Sequence, residues 1–404
     1  MRPLSSRWGV ALTALTVLGM IACSRSGEGQ PVTAAAGAVG ADTPAFWVRP
    51  GFKVTRVASD LSNARFMEFG PNGDLYMSRP NRGDILTLRR NGDQYKVSGT
   101  FIKNKPSAHG MSFYDGWLYF STTGEIYRSQ DTNGDGVADT TELLLNTDQL
   151  GARGGGHWWR PVLVTEKGIF TGIGDGGNIN DEYESMRQKL WFFPHGSTER
   201  QLWSSGTRNT EKLRIRPGTQ EVWGMDHGSD NWGKTLGEKT GTDQPFTDRV
   251  PPDEFNHYKE GQFYGHPFVL GNGIPRLEFK DRPDFIELAR KTVVPEWNFG
   301  AHWAMNGFCF ATSRALGDDV QGDAFCAAHG SWNSVVKVGY RIERVLFDRV
   351  TGKPYGSLAM VKTLGPNGEV LARPVDCVEE PGGSILFSCD YTNAIYRLER
   401  LPAR

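Results

Sequence analysis

GGGHWWRPVLVTEKGIFTGIG, residues 154–174, holds the unit that decides the fold. One polar residue, His157, stands ahead of an apolar run; TEKG turns the chain, and GIFTGIG runs back. Two short β-prone runs joined by a tight turn read as adjacent antiparallel strands. The unit recurs. SNARFMEF (62–69), PSAHGMSF (106–113), SGTRNTEKLRI (205–215), GAHWAMNGFCF (300–310) and LARPVDCV (371–378) each pass from Arg or His into a strand. PNGDLYMS (71–78), YDGWLYFS (114–121) and PGGSILFS (381–388) supply second strands. GDILTLRR (83–90), GEIYRS (124–129), VGYRIERVLF (338–347) and NAIYRLER (393–400) supply third ones. A repeat of roughly 45 residues with three or four short strands is the mark of a propeller blade. The chain is therefore expected to be all-β, a six-bladed β-propeller over 46–404, with a long polar insertion at about 226–298. A degenerate seventh blade in 250–298 is the alternative.

Composition agrees with short strands and tight turns: 50 glycines and 12 tryptophans in 404 residues. A net charge of −1 gives no global attraction to nucleic acid or to an anionic membrane surface. At the N-terminus, Arg2 and Arg7 precede an apolar run, Trp8 to Ala22, of signal-peptide length, ending in MIAC (20–23). This predicts a lipoprotein signal peptide over 1–22, lipidation at Cys23 and a flexible tether over 23–45. Localisation follows as the bacterial cell envelope, at the periplasmic face of the outer membrane, with the membrane reached only through the lipid anchor. Cys309, Cys326, Cys377 and Cys389 remain, enough for two disulfides in any of three connectivities.

The inner strand of each blade lines the central channel, so equivalent leading residues meet at one rim. Here those are Arg65, His109, His157, Arg208, His302 and Arg373. Such a ring suits a ligand carrying several carboxylates or phosphates, because guanidinium groups pair bidentately. A histidine among cations stays neutral and can act as a general base. His157 is the best placed, after three glycines and beside Trp158 and Trp159, which could stack on a flat ring or a sugar. His195, His257 and His266 fall outside the repeated position and read as surface or packing residues.

DTNGDGVADTTE (131–142) matches a calcium-loop spacing: Asp131, Asn133, Asp135, the Val137 carbonyl, Asp139 and Glu142, with Gly136 at the turn. A strand-like segment precedes it where an EF-hand needs a helix. The expectation is a structural calcium clip between the second and third blades.

HGMSF, GGGHWWRPVLV with GIGDGGN (172–178), SGTRN (205–209), PPDEFN with GQFYGHPF, and AFCAAHGSWN with GYRIERVLF together resemble the glucose/sorbosone dehydrogenase family. That family comprises pyrroloquinoline-quinone (PQQ)-dependent soluble aldose dehydrogenases, and the resemblance is nearest its sorbosone and pyranose dehydrogenase branch. It implies PQQ and calcium as cofactors and a sugar or sugar aldehyde as substrate. It also implies a respiratory acceptor, cytochrome or quinone, for the electrons. It makes His157 the catalytic base and Arg208 and Asn209 the pair at the cofactor's quinone. The carbonyls of Gly228 and Ser229 become ligands of a catalytic calcium, and Arg65 and Arg373 answer the cofactor carboxylates. The branch continues HGSWN with Arg; Ser334 stands there in this chain, so either one cofactor-facing cation is missing or Lys337 replaces it. Two other readings compete: a calcium-dependent propeller hydrolase of lactonase type, which needs acidic side chains at the channel mouth, and a non-catalytic envelope propeller.

Overall fold

The computed structural model describes residues 36–151, 154–231 and 244–402. Six antiparallel sheets are arranged as blades around a central channel. Blade 1 runs outward through Met67–Phe69, Leu75–Arg79, Asp84–Asn91 and Gln94–Ile102. The inner strands of blades 2 to 6 are Met111–Tyr114, Val162–Thr165, Thr210–Ile215, Met305–Phe310 and Pro374–Glu379. Each inner strand packs on the next, and the last packs on the first.

The ring is closed by the start of the domain. Phe52–Ala58 pairs antiparallel with Ala394–Arg400, so blade 6 takes its fourth strand from the N-terminal side. Ala38–Val39 then adds a parallel edge to Phe52–Ala58, and Trp47–Val48 pairs with Val361 and Lys362 on the outside of blade 5. The propeller sheet thus begins at Ala38, inside the stretch expected as tether; Cys23 and the export segment lie outside the described residues. Ring closure leaves few sheet edges open to further pairing.

Between blades the core is apolar and largely aromatic. Trp223, Phe255, Phe308, Phe310 and Phe347 pack together between blades 4 and 5. Each such ring contributes about 1.5–3 kcal/mol by leaving water. Cys309, Cys326, Cys377 and Cys389 belong to these clusters as buried free thiols, and none of the four is in a disulfide. They act as small hydrophobes.

Two parts of the chain differ from expectation. Pro252–Tyr258 and Trp297–Ala301 are the third and fourth strands of blade 4, so the presumed insertion over 226–298 contains half a blade. Only the excursions on either side of Pro252–Tyr258 are added. The second of these lays Gln262–Phe263 on the edge of blade 3 and buries Phe263, Phe268, Phe279, Phe285 and Leu288 in a cluster of its own. No seventh blade forms among the described residues.

The 131–142 loop also lies elsewhere than expected. It joins the third and fourth strands of blade 2, Ile126–Gln130 and Thr140–Leu145, so it sits inside that blade and not between blades 2 and 3. Asp131 accepts from the Gly134 and Gly136 N–H groups, Asn133 from Asp135, Asp135 from Val137, and Asp139 from Thr132. Glu142 pairs across the strands with Arg128 at 2.7 Å. Among the described residues no three His, Cys, Asp or Glu side chains are gathered as metal ligands. The loop leans on blade 1, where Thr87 donates to the Gly136 carbonyl at 2.7 Å and Phe101 accepts from Ala138 N–H.

Buried carboxylates fix one blade against the next. Asp376 of blade 6 accepts from Met67 N–H of blade 1 at 2.8 Å and from the buried Lys212 ammonium of blade 4 at 2.5 Å. Asp253 of blade 4 accepts from Met305 N–H of blade 5 at 3.1 Å. Breaking a buried pair by removing one partner leaves an uncompensated charge, so Asp376→Ala should lower unfolding free energy by about 3–5 kcal/mol in urea titration.

Candidate active site

A cavity of about 280 Å³ opens at the rim where the inner strands begin. Arg65, His157, Arg208, His302 and Arg373, five of the six expected leading residues, line it together with Asn209. They come from five blades, which is the convergence that the repeat implies.

His157 is held in an uncommon backbone conformation, φ 44°, at the end of the glycine run. Arg187 braces that run: its guanidinium donates to the carbonyls of Gly156 and Gly174, both at 3.0 Å, and to that of Gly154. The His157 Nδ1 lies 3.0 Å from the Asp175 main-chain carbonyl. A carbonyl only accepts, so Nδ1 carries the hydrogen and the Nε2 lone pair is left available. Burial, with the Arg208 charge nearby, pushes the imidazole down to about 4. The Asp175 carboxylate turns the other way. Burial works against its charge, yet hydrogen bonds from His266 at 2.7 Å, Gly177 N–H and Gln188 hold it at about 2. His266, set aside as a packing residue, is thus one step behind the candidate base.

The Arg208–Asn209 pair is fixed through its backbone. Asp226 accepts from both N–H groups, at 2.7 and 2.6 Å. The Arg208 guanidinium binds Asp230 at 2.6 Å and Asn178 at 2.9 Å. The Asn209 amide donates to His227 Nδ1 at 3.0 Å, and His227 Nε2 donates to the Met305 carbonyl.

The rim is not a bare cationic ring. Arg65 pairs with Glu211 at 3.0 Å and with Asp390 at 3.1 Å; His329 also meets Asp390, at 3.0 Å. Glu211, Asp230 and Asp253 all reach the cavity wall. Burial opposes the charge on Glu211, but His109 and Arg65 hold it well below the usual carboxylate range. Arg373 is the exception, donating only to the main-chain carbonyls of His329 and Gly330, at 3.2 and 2.8 Å. Among the described residues no carboxylate pairs with it.

Three expected site residues lie off the cavity. His109 is fully buried behind Trp159, rings 4.7 Å apart, with its Nε2 3.6 Å from Glu211. Lys337 is exposed and donates to the Gly368 carbonyl at 2.9 Å, so it does not replace the arginine absent at Ser334. Gly228 lines the cavity, while Ser229 sits behind it with its hydroxyl 2.7 Å from Arg276. Of the two tryptophans, Trp159 faces the cavity beneath the Arg65 guanidinium, and Trp158 faces a neighbouring cleft. His302 is on the wall, its Nε2 directed to the Thr247 carbonyl. All five residues of HGSWN, His329 to Asn333, also line the cavity.

The geometry makes a spectroscopic prediction. In nitrogen NMR at pH 7, His157 should be the Nδ1–H tautomer, and it should take up a second proton only near pH 4.

Residues 173–345 match the family model for glucose / sorbosone dehydrogenase. An uncharacterized Borreliella burgdorferi protein is 28% identical over 318 residues, which are 74% of this chain and 77% of that protein. In fold, the chain is similar to the PQQ domain of pyranose dehydrogenase from Coprinopsis cinerea, holo form, with a TM-score of 0.74 at 16% identity over 90% of this chain and 100% of that one. It is also similar to the calcium structure of a Trichoderma reesei carbohydrate-active enzyme of family AA12, at 0.73 and 19% over 89% and 98%. The PQQ-bound aldose sugar dehydrogenase of Streptomyces coelicolor gives 0.58 and 17% over 87% and 99%. The family match lies across blades 3 to 5, and the described residues share the propeller fold of these solved structures.

Proposed function

We propose that the chain is a PQQ-dependent sugar dehydrogenase: an oxidoreductase that oxidises an aldose, pyranose or sugar-derived aldehyde, with His157 as general base. The observation that carries this reading is the His157 imidazole. One nitrogen is fixed by the Asp175 carbonyl, the other stays free to accept a proton, and Arg208 and Asn209 stand on the same cavity wall.

The residues present fit a flat, three-carboxylate quinone. Arg373 lines the cavity with carbonyls and the Tyr340 ring, and no carboxylate among the described residues, against its charge, and the Arg65 Nε, buried, has no hydrogen-bond partner among the described residues. Arg373 and Arg65 would hold cofactor carboxylates, with Arg208 and Asn209 at the quinone edge. When bound, the quinone supplies a hydride acceptor. This chain's residues do the rest. His157 Nε2 takes the hydroxyl proton from the sugar carbon that loses hydride, and Arg208 offers positive charge where electrons accumulate. The catalytic calcium is proposed at the carbonyls of Gly228 and Ser229, and a second, structural calcium at 131–142. The setting proposed is the cell envelope, with anchoring through Cys23 and electrons passed to a respiratory acceptor. A hydrolase of lactonase type would need free acids at the mouth. Acids are there, but Glu211 and Asp230 are paired with Arg65 and Arg208, and the observation favouring oxidation is the free base nitrogen.

Purified protein mixed with PQQ and calcium chloride should bind the cofactor and reduce a dye with aldoses; no cofactor binding and no dye reduction with any aldose sinks the proposal. His157→Ala should keep cofactor binding and lose about 10²–10⁴ in kcat. Because the base is active unprotonated, kcat/KM should be level from neutral pH down to about 5 and fall as pH drops through about 4. For the second calcium, the thermal midpoint should rise with calcium chloride by more in the native sequence than in Asp135→Ala, which keeps only the site at Gly228 and Ser229.

A further inference from the structure

We propose that the cleft beside the catalytic cavity is a carbohydrate subsite that takes the next ring of an oligosaccharide, an assignment that rests on the sugar-oxidation reading above. Three consecutive residues divide between two spaces. His157 and Trp159 face the catalytic cavity, and Trp158 faces a cleft of about 480 Å³, larger than the cavity itself. The two indoles meet edge to face with centroids 5.3 Å apart, so an aromatic pair stands between the spaces.

The cleft is built from the connection between blades 1 and 2, which supplies Lys105 and Ser107, and from blade 2, which supplies Thr123, Glu125 and Tyr127. The first of these segments leads directly into His109 and the second turns between strands two and three. Both therefore lie at the rim that carries the catalytic cavity.

The lining is fixed by its own contacts. Ser107 Oγ accepts from Thr123 N–H at 3.0 Å and from Thr123 Oγ1 at 2.8 Å. The Lys105 ammonium lies 3.8 Å from the centre of the Tyr127 ring, and Glu125 accepts from Thr122. Arg160, buried beside Trp159 in sequence, donates to the Thr123 carbonyl at 2.8 Å and ties this turn to the segment that presents His157. A preformed site loses little ordering entropy on binding.

The chemistry selects the ligand. One cation and one carboxylate offset each other, so the cleft has no excess of charge for a polyanion. Hydroxyls, an ammonium and a carboxylate line the cleft together with the Trp158 indole, a combination suited to a sugar, which carries hydroxyls around an apolar C–H face. The preferred substrate class becomes a short oligosaccharide whose terminal ring enters the cavity while its neighbour stacks on Trp158.

The test is calorimetric titration of the full chain, without cofactor, with glucose, maltose, cellobiose, maltotriose and cellotriose. At least one linkage series should bind about three- to tenfold more tightly than glucose, the gain expected for one added aromatic contact. Trp158→Ala should erase that gain and leave glucose binding unchanged, and Trp158→Phe should keep part of it. Equal affinity across all lengths, no binding of any of them, or a length advantage that survives Trp158→Ala overturns the subsite. The length comparison on the native sequence decides the matter even where a variant folds poorly. Because cofactor is absent, a failure to reduce dye would overturn the oxidation reading and leave this result standing.

Discussion

Everything at the rim depends on closing the ring. The pairing of Phe52–Ala58 with Ala394–Arg400 joins the two ends of the domain in one sheet. It fixes how far each blade is rotated from the next, and so where the leading end of every inner strand points. Arg65 in blade 1 and Arg373 in blade 6 are far apart in sequence and share a cavity because of that closure. Asp376 reinforces the seam from within, since the N–H it accepts belongs to blade 1 and the ammonium to blade 4. Closure also gives blade 6 a fourth, outer strand, as the other blades have.

Convergence of cations carries its own cost, and the structure answers it pair by pair. A guanidinium taken out of water must be hydrogen-bonded or paired. Arg65 is met by Glu211 and Asp390, Arg208 by Asp230 and Asn178, and Arg160, which meets no carboxylate among the described residues, by the carbonyls of Thr123, Gly172 and Leu150. With no acid to oppose burial, Arg160 is pushed down to about 9. Arg373 has two carbonyls and the Tyr340 ring, 5.6 Å away, against its guanidinium and no carboxylate among the described residues, so its charge is the least compensated of the rim arginines. Ligand carboxylates would find their strongest anchor there.

How much of this could be read in the sequence follows from what repeats. Leading residues recur at one position of a periodic unit, so Arg65, His157, Arg208, His302 and Arg373 stand out without any structure. Glu211, Asp230 and Asp253 do not. Glu211 lies inside TEKLRI, where alternation reads it as a solvent-facing strand residue, and the other two sit in irregular sequence. His109 holds the right position in the repeat but is covered by Trp159, a layer of packing that spacing cannot express. Outer strands such as Thr140–Leu145 were hidden because their half-exposed faces lack an apolar signature, and that misplaced the acidic loop by one connection. Asp175 and HGSWN lie within recognisable motifs, yet nothing in a motif says which atom faces which neighbour.

The orientation of Asp175 explains the character of the base. Its main-chain carbonyl, not its carboxylate, fixes His157, and the carboxylate is spent on His266. A carboxylate against Nδ1 would stabilise an imidazolium and raise the affinity of Nε2 for protons. A carbonyl does so far less, and burial beside Arg208 works in the opposite direction. The imidazole is therefore always available as a base at neutral pH but holds a proton weakly. Such a base cannot strip a sugar hydroxyl ahead of the chemistry, because the alkoxide would reclaim the proton. On the sugar-oxidation reading proposed above, such a base would take the proton as negative charge leaves the sugar with the hydride, so that reading couples proton transfer to hydride transfer.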